Sequence, residues 1–105
     1  MGVPEISVDE LAVQMDSGAQ ILDVRELDEW NEGRISGSRL MPLGEVIERT
    51  DEISTNEPVY VICRSGVRSA SACEYLRTQG VDAVNVAGGI LAWLESQRSV
   101  ERDQQ

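Results

Sequence analysis

The sequence contains no histidine, and all nine of its basic residues are arginine, so lysine is missing as well. Without an imidazole there is no Cys-His or Ser-His nucleophile pair, and most zinc sites are excluded. Without lysine there is no Schiff-base chemistry and no lysine general base. Long apolar runs are also missing: the longest, such as Val59-Tyr60-Val61-Ile62-Cys63, fall far short of the roughly 20 residues needed to cross a bilayer. Positive charge is scarce, with 9 basic residues against 19 acidic ones and a net charge of −10. Such a surface repels nucleic-acid phosphates and anionic lipid headgroups, so neither nucleic acid nor membrane is an expected partner. Cysteine is limited to Cys63 and Cys73, too few for a disulfide framework; such a pair in a cytosolic chain reads as catalytic, redox-active or simply buried. Met1 to Glu5 carry no positive start leading into an apolar stretch, and no Ser or Thr stands at position 6. Neither a signal peptide nor a myristoyl group is expected, and the expected location is the cytoplasm.

What is present is enough for a core. Hydrophobic residues make up 41% of 105, which fits one compact domain over 1–105, its core at about 5–95 and a polar tail at 96–105 expected to fray. Strand and helix signals alternate. Glu5-Ile6-Ser7 reads as a short extended start, and Ser7 or Asp9 caps a helix through Leu11, Ala12 and Met15 that ends at Gly18. Ala19 to Val24 reads as a buried strand, Glu26 to Glu32 as a short acidic helix, and Ser38 to Met41 as a strand stopped by Pro42. Leu43 to Arg49 reads as a helix with Leu43, Val46 and Ile47 on one face. Pro58 introduces the strand Val59 to Ile62, Ser69 to about Thr78 is helical, Ala83 to Val86 is the last strand, and Gly88-Gly89 opens a final helix carrying Ile90, Leu91, Trp93 and Leu94. This alternation predicts an α/β fold: a small, mainly parallel five-stranded sheet flanked by helices on both faces.

The chemistry is expected in Cys63-Arg64-Ser65-Gly66-Val67-Arg68-Ser69, which joins the clearest strand to a helix. Sites in open α/β sheets form at the carboxyl ends of strands. A loop closing onto a helix N-terminus aims several backbone N–H groups at one point, where the helix dipole adds positive potential. Gly66 permits the turn, Arg64 and Arg68 add cations, and the segment contains no acid. The expected product is an anion-binding cradle with a thiol at its base. A free thiol titrates near pH 8.5, and amides within about 4 Å can lower that by a unit or more, whereas distant surface carboxylates are screened beyond about 8 Å. Cys63 is therefore expected to be thiolate near neutral pH without any imidazole. Protein tyrosine phosphatases use the same device with five residues between Cys and Arg; here four separate Cys63 from Arg68, giving a smaller ring that suits a terminal sulfur better than a phosphoryl group.

With Leu22-Asp23-Val24-Arg25, Glu29-Trp30, Gly33-Arg34-Ile35-Ser36-Gly37-Ser38 and Gly88-Gly89-Ile90-Leu91-Ala92-Trp93 in order around this loop, the chain resembles the rhodanese family from about Ile6 to Leu94. The resemblance implies a sulfurtransferase that moves sulfane sulfur through a Cys63 persulfide held by the amides of Arg64, Ser65, Gly66, Val67 and Arg68. It implies no metal and no cofactor. Donors and acceptors would be thiosulfate, thiols or, in an assay, cyanide, and partners a cysteine desulfurase or a sulfur-carrier protein. The family has His where Arg34 stands; Arg there is similar to rhodanese domains fused to enzymes that adenylate sulfur-carrier proteins. An interaction module that relays sulfur only from a docked protein is the alternative, and a Cys-dependent phosphatase a third reading.

Ser69 supports the loop. Asp23 and Arg25, at the end of a buried strand, either form an ion pair that braces the site or offer Arg25 to an anionic donor. Cys73 is either a packed helix residue, in a stripe with Ala70 and Leu76, or a thiol that resolves the persulfide. Trp30 and Trp93 are expected in the core, and Glu26, Asp28, Glu29 and Glu32 on a solvated helix face or in contact with a basic partner.

Overall fold

The computed structural model describes residues 2–103. Five short strands form one wholly parallel sheet in the order β1-β5-β4-β2-β3: β1 Glu5–Ile6, β2 Gln20–Asp23, β3 Arg39–Leu40, β4 Val59–Ile62 and β5 Ala83–Val86. The helices are α1 Val8–Met15, α2 Leu27–Glu32, α3 Val67–Thr78 and α4 Gly89–Glu95. Side chains alternate across a strand, so the apolar β4 feeds two separate cores. Val59 and Val61 pack with Leu22, Val24, Cys63, Cys73 and Leu76 on one face. Ile62 packs with Ile6, Leu11, Ile21, Ile90 and Trp93 on the other, with Tyr60 at its margin. Covering both faces is what permits a continuously apolar central strand.

Local signals set the element ends. Ser7 accepts from the Glu10 amide at 3.1 Å while Glu10 reaches back to the Ser7 amide at 3.4 Å, a reciprocal cap that starts α1. The expected helix over Leu43 to Arg49 does not form; a 3₁₀ turn, Leu43–Glu45, stands there instead, with a second, Thr50–Glu52, just after it. Gly44 with β-branched Val46 and Ile47 gives the segment little helical propensity, and the Leu43 amide donates to the Val24 carbonyl at 3.0 Å.

The tail expected to fray is tied down as far as Asp103. Arg34 and Glu101 exchange both backbone hydrogen bonds at 2.9 and 2.8 Å, the Ser99 carbonyl accepts from the Trp93 indole at 3.0 Å, and Asp103 pairs with Arg34 at 2.9 Å. The Arg34 guanidinium also lies 4.9 Å from the Trp30 ring centroid, so this arginine serves as a clamp for the tail. Trp93 is in the core as expected, whereas Trp30 is half-buried beneath Arg34. No helix of the described residues is long and apolar enough to cross a membrane.

Candidate active site

Cys63 follows β4 directly, at the carboxyl end of the sheet, and the residue is 1% exposed. The loop after it is shaped by its carbonyls as much as by its amides. The Cys63 carbonyl accepts from the Ile90 amide at 2.9 Å and the Arg64 carbonyl from the Leu91 amide at 3.1 Å. The Gly66 carbonyl accepts from Asn85 Nδ2 at 3.1 Å. With those oxygens turned toward α4 and β5, amides are left facing the sulfur: the Gly66 N–H donates to Cys63 Sγ at 3.1 Å. Gly66 has φ +103°, a left-handed conformation at the start of α3 that side-chain-bearing residues resist. Gly89 is required for a different reason: a Cβ there would stand 2.4 Å from the Cys63 carbonyl oxygen and 2.5 Å from that of Arg64. The closing Gly-Gly motif is thus the seat on which the loop rests.

Ser69, wholly buried in the first turn of α3, places its hydroxyl 3.3 Å from Cys63 Sγ and 2.5 Å from Asn85 Oδ1. A hydroxyl has one proton, so it donates to one of these at a time. The Asn85 amide is fixed the other way round, because its Nδ2 meets two acceptors, the Gly66 carbonyl and Glu5 Oε2, both at 3.1 Å. Asn85 Oδ1 can then only accept, so the Ser69 hydroxyl is shared between Asn85 Oδ1 and Cys63 Sγ. Burial pushes the Cys63 thiol up, but the Ser69 hydroxyl together with the amides of Ser69, Gly66 and Ser65 outweighs it and holds the thiol below its ordinary value. Cys73, 0% exposed in the core under α3, has no such donors, and burial pushes its thiol up to about 12.

The arginines are arranged differently from the expectation of two free cations. Arg68 is gripped by both oxygens of Glu29, with Nη1–Oε1 and Nη2–Oε2 each 2.8 Å. The Arg68 hydrogen bonds, partly offset by desolvation, hold the Glu29 carboxyl down at about 2. Glu29 is therefore not on the solvated face of α2, although Glu26, Asp28 and Glu32 are exposed. Asp23 and Arg25 form a buried ion pair, Nη2–Oδ2 2.7 Å and Nε–Oδ1 2.9 Å. Arg25 also donates to the carbonyls of Gly33 at 2.8 Å and Glu29 at 3.3 Å, so it braces α2 against β2. Arg64 alone of the loop arginines is exposed and makes no ion pair among the described residues. It borders a cleft of about 270 Å³ walled also by Arg25, Glu29, Glu32, Leu91 and Arg102. Arg64, the residue after Cys63, is the thiol loop's contribution to this wall.

A family model described as the rhodanese-like domain matches residues 7–96. The chain belongs to the rhodanese-like domain family. The rhodanese-like chain is also similar to a protein named sulfurtransferase from Allochromatium vinosum, 36% identical over 94 residues, covering 87% of this chain and 88% of that protein. Among solved structures it is similar to a rhodanese-like domain protein from Staphylococcus aureus, with a TM-score of 0.88 and 36% identity over 97% of this chain and 100% of the other. It is 40% identical over 94 residues to YrkF of Bacillus subtilis, and there it spans about half the relative's length, 51%. These similarities support a role in sulfur transfer and in sulfur-related partnerships.

Two residues of this rhodanese-like site escaped sequence reasoning. Asn85 carried a signal, a polar residue at an inward position of the apolar strand Ala83-Val84-Asn85-Val86. Glu29 stood out only as part of the Glu29-Trp30 motif; its pairing with Arg68, 39 residues away, carried no signal.

Proposed function

We propose that this rhodanese-like domain is a sulfurtransferase whose Cys63 carries sulfane sulfur between a donor, thiosulfate or a protein persulfide, and a thiophilic acceptor. In loading, the Cys63 thiolate attacks the sulfane sulfur. The donor's S–S bond breaks, its leaving group (sulfite from thiosulfate, a thiolate from a persulfide) departs with the electron pair, and the new Cys63 S–S bond ends in a negative sulfur. In unloading, the acceptor attacks that terminal sulfur and the Cys63 thiolate leaves. No proton transfer through an imidazole is needed if the thiol is already ionised. The observation that carries this reading is the pair of donors on Sγ, the Gly66 amide at 3.1 Å and the Ser69 hydroxyl at 3.3 Å, in a loop whose carbonyls are turned away. Such donors, preorganised and out of water, stabilise charge where it develops.

Phosphate chemistry fits less well, since Arg68, the residue that would clasp a phosphoryl group, is held bidentate by Glu29. Two unpaired cysteines suit a reducing compartment such as the cytoplasm. Mass spectrometry after treatment with thiosulfate tests the proposal. A cyanide-labile gain of one sulfur, about 32 Da, on Cys63 is the expected result, and equal labelling of Cys63→Ser would refute it.

A further inference from the structure

The charge arrangement around the loop says which donors the site prefers. Four arginines, Arg25, Arg64, Arg68 and Arg102, surround the loop and its cleft, and three carboxylates stand among them, those of Asp23, Glu29 and Glu32. Glu29 matters most, because it engages both Nη groups of the one loop arginine that directly precedes Ser69. Glu29 and Arg68 are 25% and 34% exposed, so their pairing is only partly screened by solvent. Read as a bare segment, the loop offers two free cations; folded, it offers Arg64. The chain as a whole carries a net charge of −10. A dianionic donor needs more compensating charge than this leaves, whereas a donor with one charge or none does not.

We infer that Glu29 is a specificity-determining residue that turns the Cys63 site toward weakly charged persulfide donors and away from dianionic ones such as thiosulfate. The inference rests on the persulfide chemistry proposed for Cys63. In both cases the thiolate displaces the donor's leaving group from the sulfane sulfur. The difference is that a doubly charged group must sit against the thiol loop in one case and not in the other. Removing the Glu29 charge frees Arg68 to face the donor. The dianion gains about twice what a monoanion gains from the same new cation.

The test is single-turnover loading of the full chain, followed by mass spectrometry of Cys63, with thiosulfate and with the persulfide of 2-mercaptoethanol as donors. Glu29→Gln keeps an oxygen for Arg68 but loses the charge. The ratio of thiosulfate to persulfide loading rates is expected to rise roughly five- to tenfold in this variant, the scale of one partly screened charge interaction. A merely structural role would slow both donors together and leave the ratio alone. Glu32→Gln, exposed and on the cleft wall, provides a second variant that does not disturb the Arg68 pair; a shift of about twofold in the same direction is expected there. A ratio unchanged in folded Glu29→Gln overturns the inference, whatever Glu32→Gln shows. Failure of wild-type Cys63 to take sulfur from either donor would instead overturn the persulfide reading beneath it.

Discussion

Cys63 and Cys73 lie ten positions apart, are both buried, and differ in almost everything a thiol can do. Both pack in the core between α3 and the sheet, so both bear the same desolvation that disfavours an anion. Cys73 sits in an apolar cluster with no hydrogen-bond donor on its sulfur among the described residues, and burial pushes its thiol up to about 12. Cys63, at the end of a strand rather than within a helix, meets amides that no intrahelical carbonyl has claimed, and its thiol falls below the ordinary value. Burial alone makes a cysteine inert; burial with donors aimed at the sulfur makes it a nucleophile. The same contrast bears on Cys73 as a resolving thiol, a role its fully buried packing does not favour.

The comparison can be broken most completely at the sulfur itself. Cys63→Ser should abolish persulfide formation, whereas Cys73→Ser should load within about twofold of wild type while losing about 1–3 kcal/mol of stability, the usual cost of a hydroxyl in an apolar site. Denaturant unfolding alongside mass spectrometry separates the two. Next in size is Gly89→Ala. Its methyl collides with backbone that cannot swing aside, so a loss of about 3 kcal/mol or more is expected in thermal or urea unfolding. The Cys63 thiol should also rise toward an ordinary cysteine as the seat shifts.

Ser69→Ala removes one donor without moving the backbone. It should raise the Cys63 thiol toward the ordinary cysteine value, read from the pH dependence of alkylation. In wild type the same titration should show a single step below the ordinary cysteine value. A second step anywhere near it would mean that Cys73 is neither buried nor shifted. The smallest effect is on acid stability. The Glu29 carboxyl is depressed in the folded state, so its contribution is complete above the unfolded value near 4.5 and is lost as pH falls toward about 2. For a partly exposed pair this amounts to about 1–2 kcal/mol. Stability curves of wild type and Glu29→Gln should therefore converge as pH drops through that window, and parallel curves would show that the pair contributes nothing.

Much of this was legible in the sequence because it was local. Val59 to Ile62 and Ala83 to Val86 were readable as strands to the residue, since a continuous apolar run after Pro58 and a valine-rich run between Gly80 and Gly88 leave few alternatives. The thiol loop was readable from its place between a strand and a helix. What escaped was set by distant parts of the chain. Arg68 looks free until α2 brings Glu29 against it. Residues 96–103 look like a fraying tail until the loop after α2 offers Arg34 an edge to pair. Leu43 to Arg49 has the spacing of a helix, yet Gly44, Val46 and Ile47 give it little helical propensity. Asn85 belongs to both classes: its polarity in an apolar strand was visible, but its three partners, Glu5, Gly66 and Ser69, come from three different segments.

The resting of the loop on α4 also dictates when the thiol becomes active during synthesis. A ribosome delivers Cys63 some 26 residues before Gly89, and the amides of Ile90 and Leu91 that turn the loop carbonyls outward come later still. Until they emerge, the loop has only the Asn85 hold on the Gly66 carbonyl, and the carbonyls of Cys63 and Arg64 lack the donors that turn them away from the sulfur. A chain ending at Ala87 should accordingly alkylate with a pH profile shifted toward that of an ordinary cysteine.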